Sequence, residues 1–255
     1  MSDNKKERIA KVIARAGIAS RRDAEKLILD GKVKVNGVLI TSPALNVSEE
    51  DKIEVAGKAL APKEEVRIWR YNKRAGLITS HKDPEGRPTV FEALPTGLPR
   101  VISVGRLDFN SEGLLLLTND GEAARFMESP ATAWKRRYRV RVHGMVTDDI
   151  IARLAKGVTI DGVRYGAAEV VLDKQQRTNS WLTVTIQEGK NREIRKMMDF
   201  FGLKVTRLIR VSYGPFQLGN LPVGEIKEVP GKIVREQLGL EKNKKAKNEN
   251  YRRKS

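Results

Sequence analysis

Hydrophobic and polar positions change their spacing along the chain, and each spacing predicts a different kind of element. Helical spacing occurs twice near the start, at Ile9, Val12, Ile13 and Ala16 and again at Ala24, Leu27 and Ile28. Ser20 precedes the second helix, with Asp23 at the position where a capping box usually has glutamate. The stretch "KVKVNGVLI" then alternates around Asn36-Gly37, which predicts a hairpin with a two-residue turn. Two short helices and a small sheet are therefore predicted in about the first 60 residues.

Strand patterns predominate after a segment rich in Gly, Pro and charge, which we interpret as a linker near Ala56 to Glu65. Leu114 to Leu117 form an apolar run between Gly113 and the turn residues "NDG", which predicts a fully buried strand. "RRYRVRVHG" alternates as a half-buried strand, "NREIRKMMDFFG" has helical spacing, and "DPEGRPTVFEAL" predicts a turn and a short helix. Because strands outnumber helices and many are consecutive, we expect an α+β fold with a mixed, mostly antiparallel sheet.

The patterns divide the chain into three parts. Residues 1–61 form a small helix-helix-hairpin module, and residues 62–240 form a larger domain. Residues 241–255 read "EKNKKAKNENYRRKS", which is strongly basic with almost nothing apolar, so we expect a disordered basic tail.

The charge balance indicates the kind of partner. The 255 residues include 49 Lys and Arg against 32 Asp and Glu, a net charge of +17, which points to a polyanion such as a nucleic acid. In the first module, one set of cations can form a basic surface for a phosphate backbone, with an ordinary solvated face as the alternative. This set comprises Arg15, Arg21, Arg22, Lys26, Lys32 and Lys34.

Other features of the composition restrict location and chemistry. There is no apolar run of about 18 residues and no signal-like start, so we expect a cytoplasmic protein without a membrane segment. The chain has no cysteine, and its two histidines, His81 and His143, are far apart in sequence. A thiol nucleophile and a cysteine-ligated zinc are therefore excluded, and a histidine-rich metal site is not expected. Carboxylates, hydroxyls and cations remain for any chemistry.

Asp108 is the candidate that the pattern itself singles out. It lies two residues after Arg106, in the polar loop of "VGRLDFNSEGLLLLTNDGE" that precedes the buried strand. Loops held by rigid strands often carry function, which favours a chemical role. The alternative is a local turn, because aspartate often stabilises turns beside asparagine and glycine.

Two resemblances add to this interpretation. The stretch "RIAKVIARAGIASRRDAEKLILDGKVKVNG" resembles the small RNA-binding module first known from ribosomal protein S-four, which implies binding of structured RNA through shape and phosphates. The blocks "GRLDFNSEGLLLLTNDGE", "RRYRVRV" and "EGKNREIRKMM", with "DPEGRPTVF", resemble the RsuA/RluB group of ribosomal-RNA pseudouridine synthases. Together the resemblances span roughly Glu7 to Pro230. One departure is Arg74, where the family commonly has proline, and it bears on the stiffness of that loop.

The family resemblance implies a fold and a reaction. The fold is an eight-stranded mixed sheet with an RNA cleft across its middle. The reaction isomerises a uridine: the glycosidic bond breaks, the uracil turns, and the sugar rejoins ring carbon 5. No metal or organic cofactor is needed. A long chain with a basic tail resembles the RluB branch of the group, which implies ribosomal RNA of an assembling large subunit as the partner, and we expect a monomer.

Five residues receive roles from the resemblance. Asp108 corresponds to the essential aspartate, and Arg195 to the cation beside it, although a surface helix charge is the alternative for Arg195. Tyr138 corresponds to the active-site tyrosine that stacks on the base and relays a proton, with a core aromatic as its alternative. Arg106 would fill the space that the flipped base leaves. Leu208 would support that base, unless it is a plain core leucine.

Two other functions compete with this one. A non-catalytic RNA-binding factor of translation or the ribosome would explain the charge and the front module equally well. It would not explain why Asp108, Tyr138 and Arg195 all occupy family positions. A metal-dependent nuclease would need a cluster of carboxylates or histidines, and the sequence has no such spacing.

Overall fold

The computed structural model describes residues 6–240, so the predicted basic tail at 241–255 lies outside the described residues. The chain divides into two compact units. Of the described residues, the first unit comprises residues 6–66 with the short segments Gly97–Ile102 and Asn119–Gly121, and the second comprises the rest of residues 6–240.

The first unit is a small helix-and-hairpin module. Its helices are α1 (Ile9–Arg15) and α2 (Arg21–Leu29). Its strands are β1 (Glu7–Arg8), β2 (Val33–Val35), β3 (Val38–Ile40), β4 (Asn46–Val47), β5 (Ile53–Val55) and β6 (Lys58–Ala59). They form a sheet in the order β3-β2-β5-β6 and a separate β1-β4 pair. The apolar faces of the helices and strands close one core, with Ile9, Ile13, Ile28 and Val33 fully buried.

Both local signals in this unit are confirmed. The Ser20 hydroxyl oxygen accepts the Asp23 amide N–H at 3.1 Å, which satisfies one free donor at the start of α2. The same hydroxyl donates to the Asp23 carboxylate at 2.6 Å. Asn36 and Gly37 both have positive φ, 52° and 82°, as a two-residue hairpin turn of the type I′ class requires.

The linker is shorter than the composition predicted. Ala56 and Gly57 have positive φ and form the turn of the β5–β6 hairpin, so they belong to the first unit. Residues 60–67 carry no helix or strand. The predicted boundary at residue 61 falls inside this segment and stays a prediction.

The second unit is built on a large sheet. Its helices are α3 (Gly121–Glu128), α4 (Asp148–Ala155), α5 (Glu193–Phe200) and α6 (Gly231–Gln237). Its first strands are β7 (Ile68–Lys73), β8 (Ile102–Val104), β9 (Glu112–Thr118), β10 (Arg136–His143), β11 (Val158–Ile160) and β12 (Val163–Tyr165). The others are β13 (Glu169–Gln176), β14 (Asn179–Ile186), β15 (Lys204–Tyr213), β16 (Phe216–Gln217) and β17 (Ile226–Glu228).

The large sheet has the order β13-β14-β10-β15-β9-β7-β17, with β16 added beside β15 and β8 beside β9. Along this path β15 and β9 run parallel, and every other pair is antiparallel. The predicted α+β class with a mixed, mostly antiparallel sheet is therefore confirmed. The sheet has nine strands rather than the eight that the resemblance implied, counting the short strands β8 and β16 at its margins.

Gly113 makes the parallel contact between β9 and β15 possible. Its φ is +94°, and a Cβ placed there would lie 2.3 Å from the Arg210 carbonyl oxygen. Only glycine lets the two backbones approach this closely. Leu114 to Leu117 follow with no exposed surface, so the prediction of a fully buried strand is confirmed.

The short helix predicted in "DPEGRPTVFEAL" is wrong. Thr89 and Glu92 exchange the two hydrogen bonds of a capping box, since the Thr89 N–H donates to the Glu92 carboxylate and the Glu92 N–H donates to the Thr89 hydroxyl. Only a turn follows, because Pro95 ends the segment before a helix can form. Nowhere in residues 6–240 is a helix long and apolar enough to cross a membrane.

Candidate active site

Asp108 lies in the loop between β8 and β9, and several contacts from the β7 side hold this loop in place. The Thr79 hydroxyl donates to the Leu107 carbonyl at 2.9 Å and accepts the Leu107 N–H at 3.3 Å. The Gly76 N–H donates to the Phe109 carbonyl at 2.8 Å. The Asp108 carbonyl closes the turn by accepting the Ser111 N–H at 3.0 Å. The predicted turn therefore exists, but it forms through the Asp108 backbone, so the carboxylate stays available.

Lys73, at the end of β7, also holds the Asp108 loop in place. Its side chain is fully buried, and its ammonium donates to the carbonyls of Arg74, Asp108, Phe109 and Ser111 at 2.8 to 3.3 Å. Burial lowers the pKa of Lys73 to about 8, although Asp108 and Glu112 oppose that shift. A buried cation thus ties together the backbone that presents Asp108. The pattern of the sequence missed Lys73, because "NKRAG" reads as an exposed loop.

Arg195 of α5 lies beside the Asp108 carboxylate, as the resemblance implied. Its Nε is 3.7 Å from the Asp108 Oδ2. Its two terminal nitrogens donate to the carbonyls of Asn110, at 3.1 Å, and Val205, at 3.3 Å. The residue is only 9% exposed, and burial lowers the pKa of Arg195 from its ordinary value, with Arg192 adding to the shift. The alternative of an exposed helix charge is contradicted by this burial.

A second cation, Arg192, was not predicted. Its Nη1 is also 3.7 Å from the Asp108 Oδ2, and its side chain remains 51% exposed. The residue precedes α5 with φ 51°, a left-handed conformation that is uncommon for residues other than glycine. Two guanidinium groups, one buried and one exposed, therefore face the same carboxylate oxygen.

Tyr138 and Leu208 lie in the large sheet near this loop. One row of paired residues crosses the sheet through Lys73, Gly113, Arg210 and Tyr138. Three strand spacings separate Lys73 from Tyr138, roughly 14 Å between their Cα atoms. Tyr138 is 8% exposed. Leu208 is 6% exposed and pairs with Val140.

Arg210 in this row is a second buried cation that the sequence pattern did not indicate. It is 3% exposed, and its Nε donates to the Leu114 carbonyl at 2.7 Å. Its guanidinium lies 5.1 Å from the centre of the Tyr213 ring. Its Nη2 has no hydrogen-bond partner among the described residues. Lys73 and Arg210 lie on either side of Gly113 in the row.

The structure does not bring all five predicted residues into contact. Asp108 and Arg195 form an ion pair, but Arg106, Tyr138 and Leu208 make no hydrogen bond or ion pair with Asp108 within residues 6–240. Arg106 is exposed on the same loop. Their roles towards a nucleotide therefore stay predictions.

Glu193, at the start of α5, lies between Arg192 and Arg195 in the sequence, and its side chain is buried. Burial raises the pKa of Glu193 to about 7, and its hydrogen-bonded neighbour Glu188 adds to the rise. The Lys190 N–H donates to the Glu193 carboxyl at 3.1 Å, and the Lys190 ammonium binds Glu188 at 2.6 Å. This pair of carboxyls anchors the loop that leads to Arg192 and Arg195.

The predicted basic surface of the first unit is largely exposed. Arg21, Arg22, Lys26, Lys32 and Lys34 are exposed. Arg15 differs, because it forms an ion pair with Glu7 and is only half-buried. Within residues 6–240 no group of three or more His, Cys, Asp or Glu side chains is placed to hold a metal ion.

Comparison with known proteins places these features in a family. The family model described as RNA pseudouridylate synthase matches residues 67–200, and the S4 domain model matches residues 7–53. The chain is 54% identical over 228 residues to an uncharacterised RNA pseudouridine synthase of Rickettsia felis, which covers 89% of this chain and 99% of that one. It is 40% identical over 245 residues to ribosomal large subunit pseudouridine synthase B of Haemophilus influenzae, covering 92% of this chain and 68% of that one.

A solved structure agrees with these relatives. A crystal structure of a pseudouridylate synthase superposes with a TM-score of 0.65 at 28% sequence identity. The match covers 91% of this chain and 99% of that one.

Proposed function

Since this chain belongs to the RNA pseudouridine synthase family and carries an S4 domain, we propose that it isomerises one uridine of large-subunit ribosomal RNA to pseudouridine, with Asp108 as its catalytic carboxylate. The large subunit is proposed because relatives from Haemophilus influenzae and Yersinia pestis, each 40% identical, are named ribosomal large subunit pseudouridine synthase B.

The observation that carries the catalytic assignment is the ion pair between Asp108 and Arg195. The Asp108 side chain is 29% exposed, so a nucleotide can reach it, while its backbone is fixed by Lys73, Gly76 and Thr79. A nucleophile or base must be presented rigidly to react efficiently. Both Arg195 and Arg192 compensate the carboxylate charge next to the partly buried loop.

The reaction rearranges bonds within one nucleotide. The bond between N1 of uracil and C1′ of ribose breaks, the ring turns, and C5 forms a new bond to C1′. The proton on C5 leaves and N1 gains one, so atoms and electrons balance without an oxidant, a reductant or a second substrate. Direct attack by Asp108 and removal of a sugar proton by Asp108 both require its ionised form.

The neighbouring residues would handle the flipped nucleotide. Tyr138 would stack on the uracil and relay the proton after the ring has turned. Leu208 would support the base. Exposed Arg106, on the same loop as Asp108, would occupy the space that the base leaves in the RNA stack.

The proposal extends to the setting of the reaction. We place the enzyme in the cytoplasm, acting as a monomer on an assembling large subunit, with residues 1–61 as the RNA-binding module and 62–240 as the catalytic domain. The exposed cations of α2 and β2 support RNA binding by the first unit.

Mapping pseudouridines across ribosomal RNA, with and without the gene, tests the proposed function. We expect one or a few pseudouridines of large-subunit RNA to disappear without the gene and to return when it is restored. If the two maps are identical, the proposed reaction is wrong. If a pseudouridine of small-subunit RNA disappears instead, the proposed reaction stands and only the proposed substrate, large-subunit RNA, is wrong.

A further inference from the structure

The large sheet carries a row of arginines on the face opposite to Tyr138. Residues of β10 alternate between exposed and buried, and the exposed members include three arginines. Because neighbouring side chains of a strand point to opposite faces, these arginines share one solvent-facing side. We name this row, Arg137, Arg139 and Arg141, the arginine face.

Protection of a sheet edge does not explain this row. Exposed charges often prevent edge strands from pairing with other chains. However, β10 lies between β14 and β15 in the interior of the sheet, where both edges are already paired. The cations must therefore be accounted for in another way.

The arginines of this face have little acidic compensation in the free protein. Arg141 lies directly opposite Arg207 of β15. Like charges in directly opposite positions destabilise a sheet. Arg207 is compensated by Glu112 through two contacts of 2.9 Å. Among the described residues Arg137 and Arg141 form no ion pair, so their charges have no acidic partner there.

Arg139 is preorganised by a contact with a tryptophan. Its guanidinium lies 5.0 Å from the centre of the Trp181 ring on β14, within the range of a cation–π contact. Such a contact restricts the arginine before any ligand arrives and reduces the ordering cost of binding. The nearby acid Asp173 already accepts the Thr183 hydroxyl at 2.9 Å.

We propose that the arginine face binds the phosphodiester backbone of the RNA, at a second contact outside the Asp108 site. Alternate residues of a strand repeat about every 6.8 Å, comparable with successive phosphates of an RNA strand. Phosphates would supply the acidic partners that Arg137 and Arg141 lack, and guanidinium groups bind phosphate oxygens with paired N–H donors. RNA is favoured over an acidic protein because the chain carries +17 overall and the identity of the polyanion follows from the proposed function.

This contact supplies affinity and register, and leaves the chemistry to the Asp108 site. Phosphate contacts fix the position of RNA without reading its sequence. Loss of the arginine face should therefore weaken binding in a salt-dependent way while turnover at saturating RNA persists.

The test replaces all three residues of the full-length protein, Arg137→Gln, Arg139→Gln and Arg141→Gln together. Binding to unmodified large-subunit ribosomal RNA, transcribed in vitro, is measured between 50 and 300 mM KCl, roughly the range over which counterion release is resolved. The slope of log affinity against log salt should become shallower by about 2 to 3, and affinity near 0.15 M should fall roughly 10- to 100-fold. A change to lysine at the same three positions keeps the charge and should retain most of the slope.

The matched control removes the same charge elsewhere, at the exposed residues Lys63, Lys227 and Lys232, and should leave the slope nearly unchanged. An unchanged slope in the folded glutamine variant would overturn the proposal, even if an acidic protein were found to bind this face. Tritium release from carbon 5 of uridine is measured in parallel. If the parent binds RNA but releases no tritium, the proposed function fails independently of the arginine face.

Discussion

At the scale of single residues, the buried cations distinguish this site from an ordinary loop. Lys73 and Arg210 are at most 3% exposed and lie on either side of Gly113 in one row of the sheet. Burying a charge is costly unless hydrogen bonds compensate it. Lys73 is compensated by four backbone carbonyls of the Asp108 region, and its removal would take one donor from each of them. The Asp108 and Phe109 carbonyls would keep only a backbone N–H.

Lys73→Met keeps the length of the side chain and removes its donors. We expect a loss of about 2 to 4 kcal/mol of stability, because four carbonyls of the loop lose the charged donor that ties them together. The turnover number should fall at least tenfold, because the Asp108 loop is no longer fixed. Chemical denaturation and single-turnover assays measure the two effects. Lys82→Met, at an exposed lysine, is the control, and equal behaviour of both variants would contradict a positioning role for Lys73.

At the scale of elements, α5 and the segment before it bring Arg192 and Arg195 to Asp108. The loop is anchored by Glu193, whose pKa is raised to about 7 by burial and by the hydrogen-bonded Glu188. A carboxyl whose folded pKa lies above its ordinary value of 4.5 favours the folded state only when protonated. Its contribution is therefore present below pH 4.5 and is lost as pH rises through about 7.

Glu193→Gln should remove this pH dependence. Glutamine stays neutral, can accept the Lys190 N–H and can donate to Glu188. Relative to the parent, the variant should gain stability between about pH 5 and pH 8, approaching about 3 kcal/mol for a shift of this size. Denaturation midpoints at both pH values measure the gain. A difference that stays constant across this range would show that Glu193 is not protonated in the folded protein near neutral pH.

At the scale of the whole molecule, we propose that the first unit binds RNA and that the second carries out the reaction. Exposed Arg21 and Arg22 at the start of α2 belong to the module, and neither is near the Asp108 block in sequence. Cations that contact phosphates add affinity and make it dependent on salt, but they do not act on the reacting base.

Arg21→Gln with Arg22→Gln should therefore raise the Michaelis constant for ribosomal RNA severalfold and leave the turnover number nearly unchanged. Lys52→Gln with Lys58→Gln removes the same charge from exposed positions of the same unit and serves as control. Steady-state kinetics on transcribed ribosomal RNA separate the two constants. A fall in turnover at saturating RNA would assign the module a part in catalysis.

Sequence patterns predicted the fold well where the signal is local. The Asn36-Gly37 turn, the Ser20 cap and the alternation of β10 each follow from neighbouring residues, and each is confirmed. The helix predicted in "DPEGRPTVFEAL" was wrong, because Pro95 ends the segment after a single turn.

Sequence patterns predicted less of the candidate site than of the fold. Asp108 and Arg195 are far apart in sequence, so only the family resemblance joined them. Lys73, Arg192 and Arg210 were missed because charged residues are normally exposed, and their burial or pairing depends on contacts made across the sheet.

The most direct test of the account is the turnover of Asp108→Asn. Asparagine has nearly the same size and can still accept a hydrogen bond from Arg195, but it lacks the charge and is a poor nucleophile and base. The variant should fold, bind ribosomal RNA about as well as the parent, and release no measurable tritium from carbon 5 of uridine. Glu112 offers no substitute, because Arg207 holds its carboxylate with two contacts of 2.9 Å. Substantial tritium release by the folded Asp108→Asn protein would contradict the assignment of Asp108 as the catalytic group.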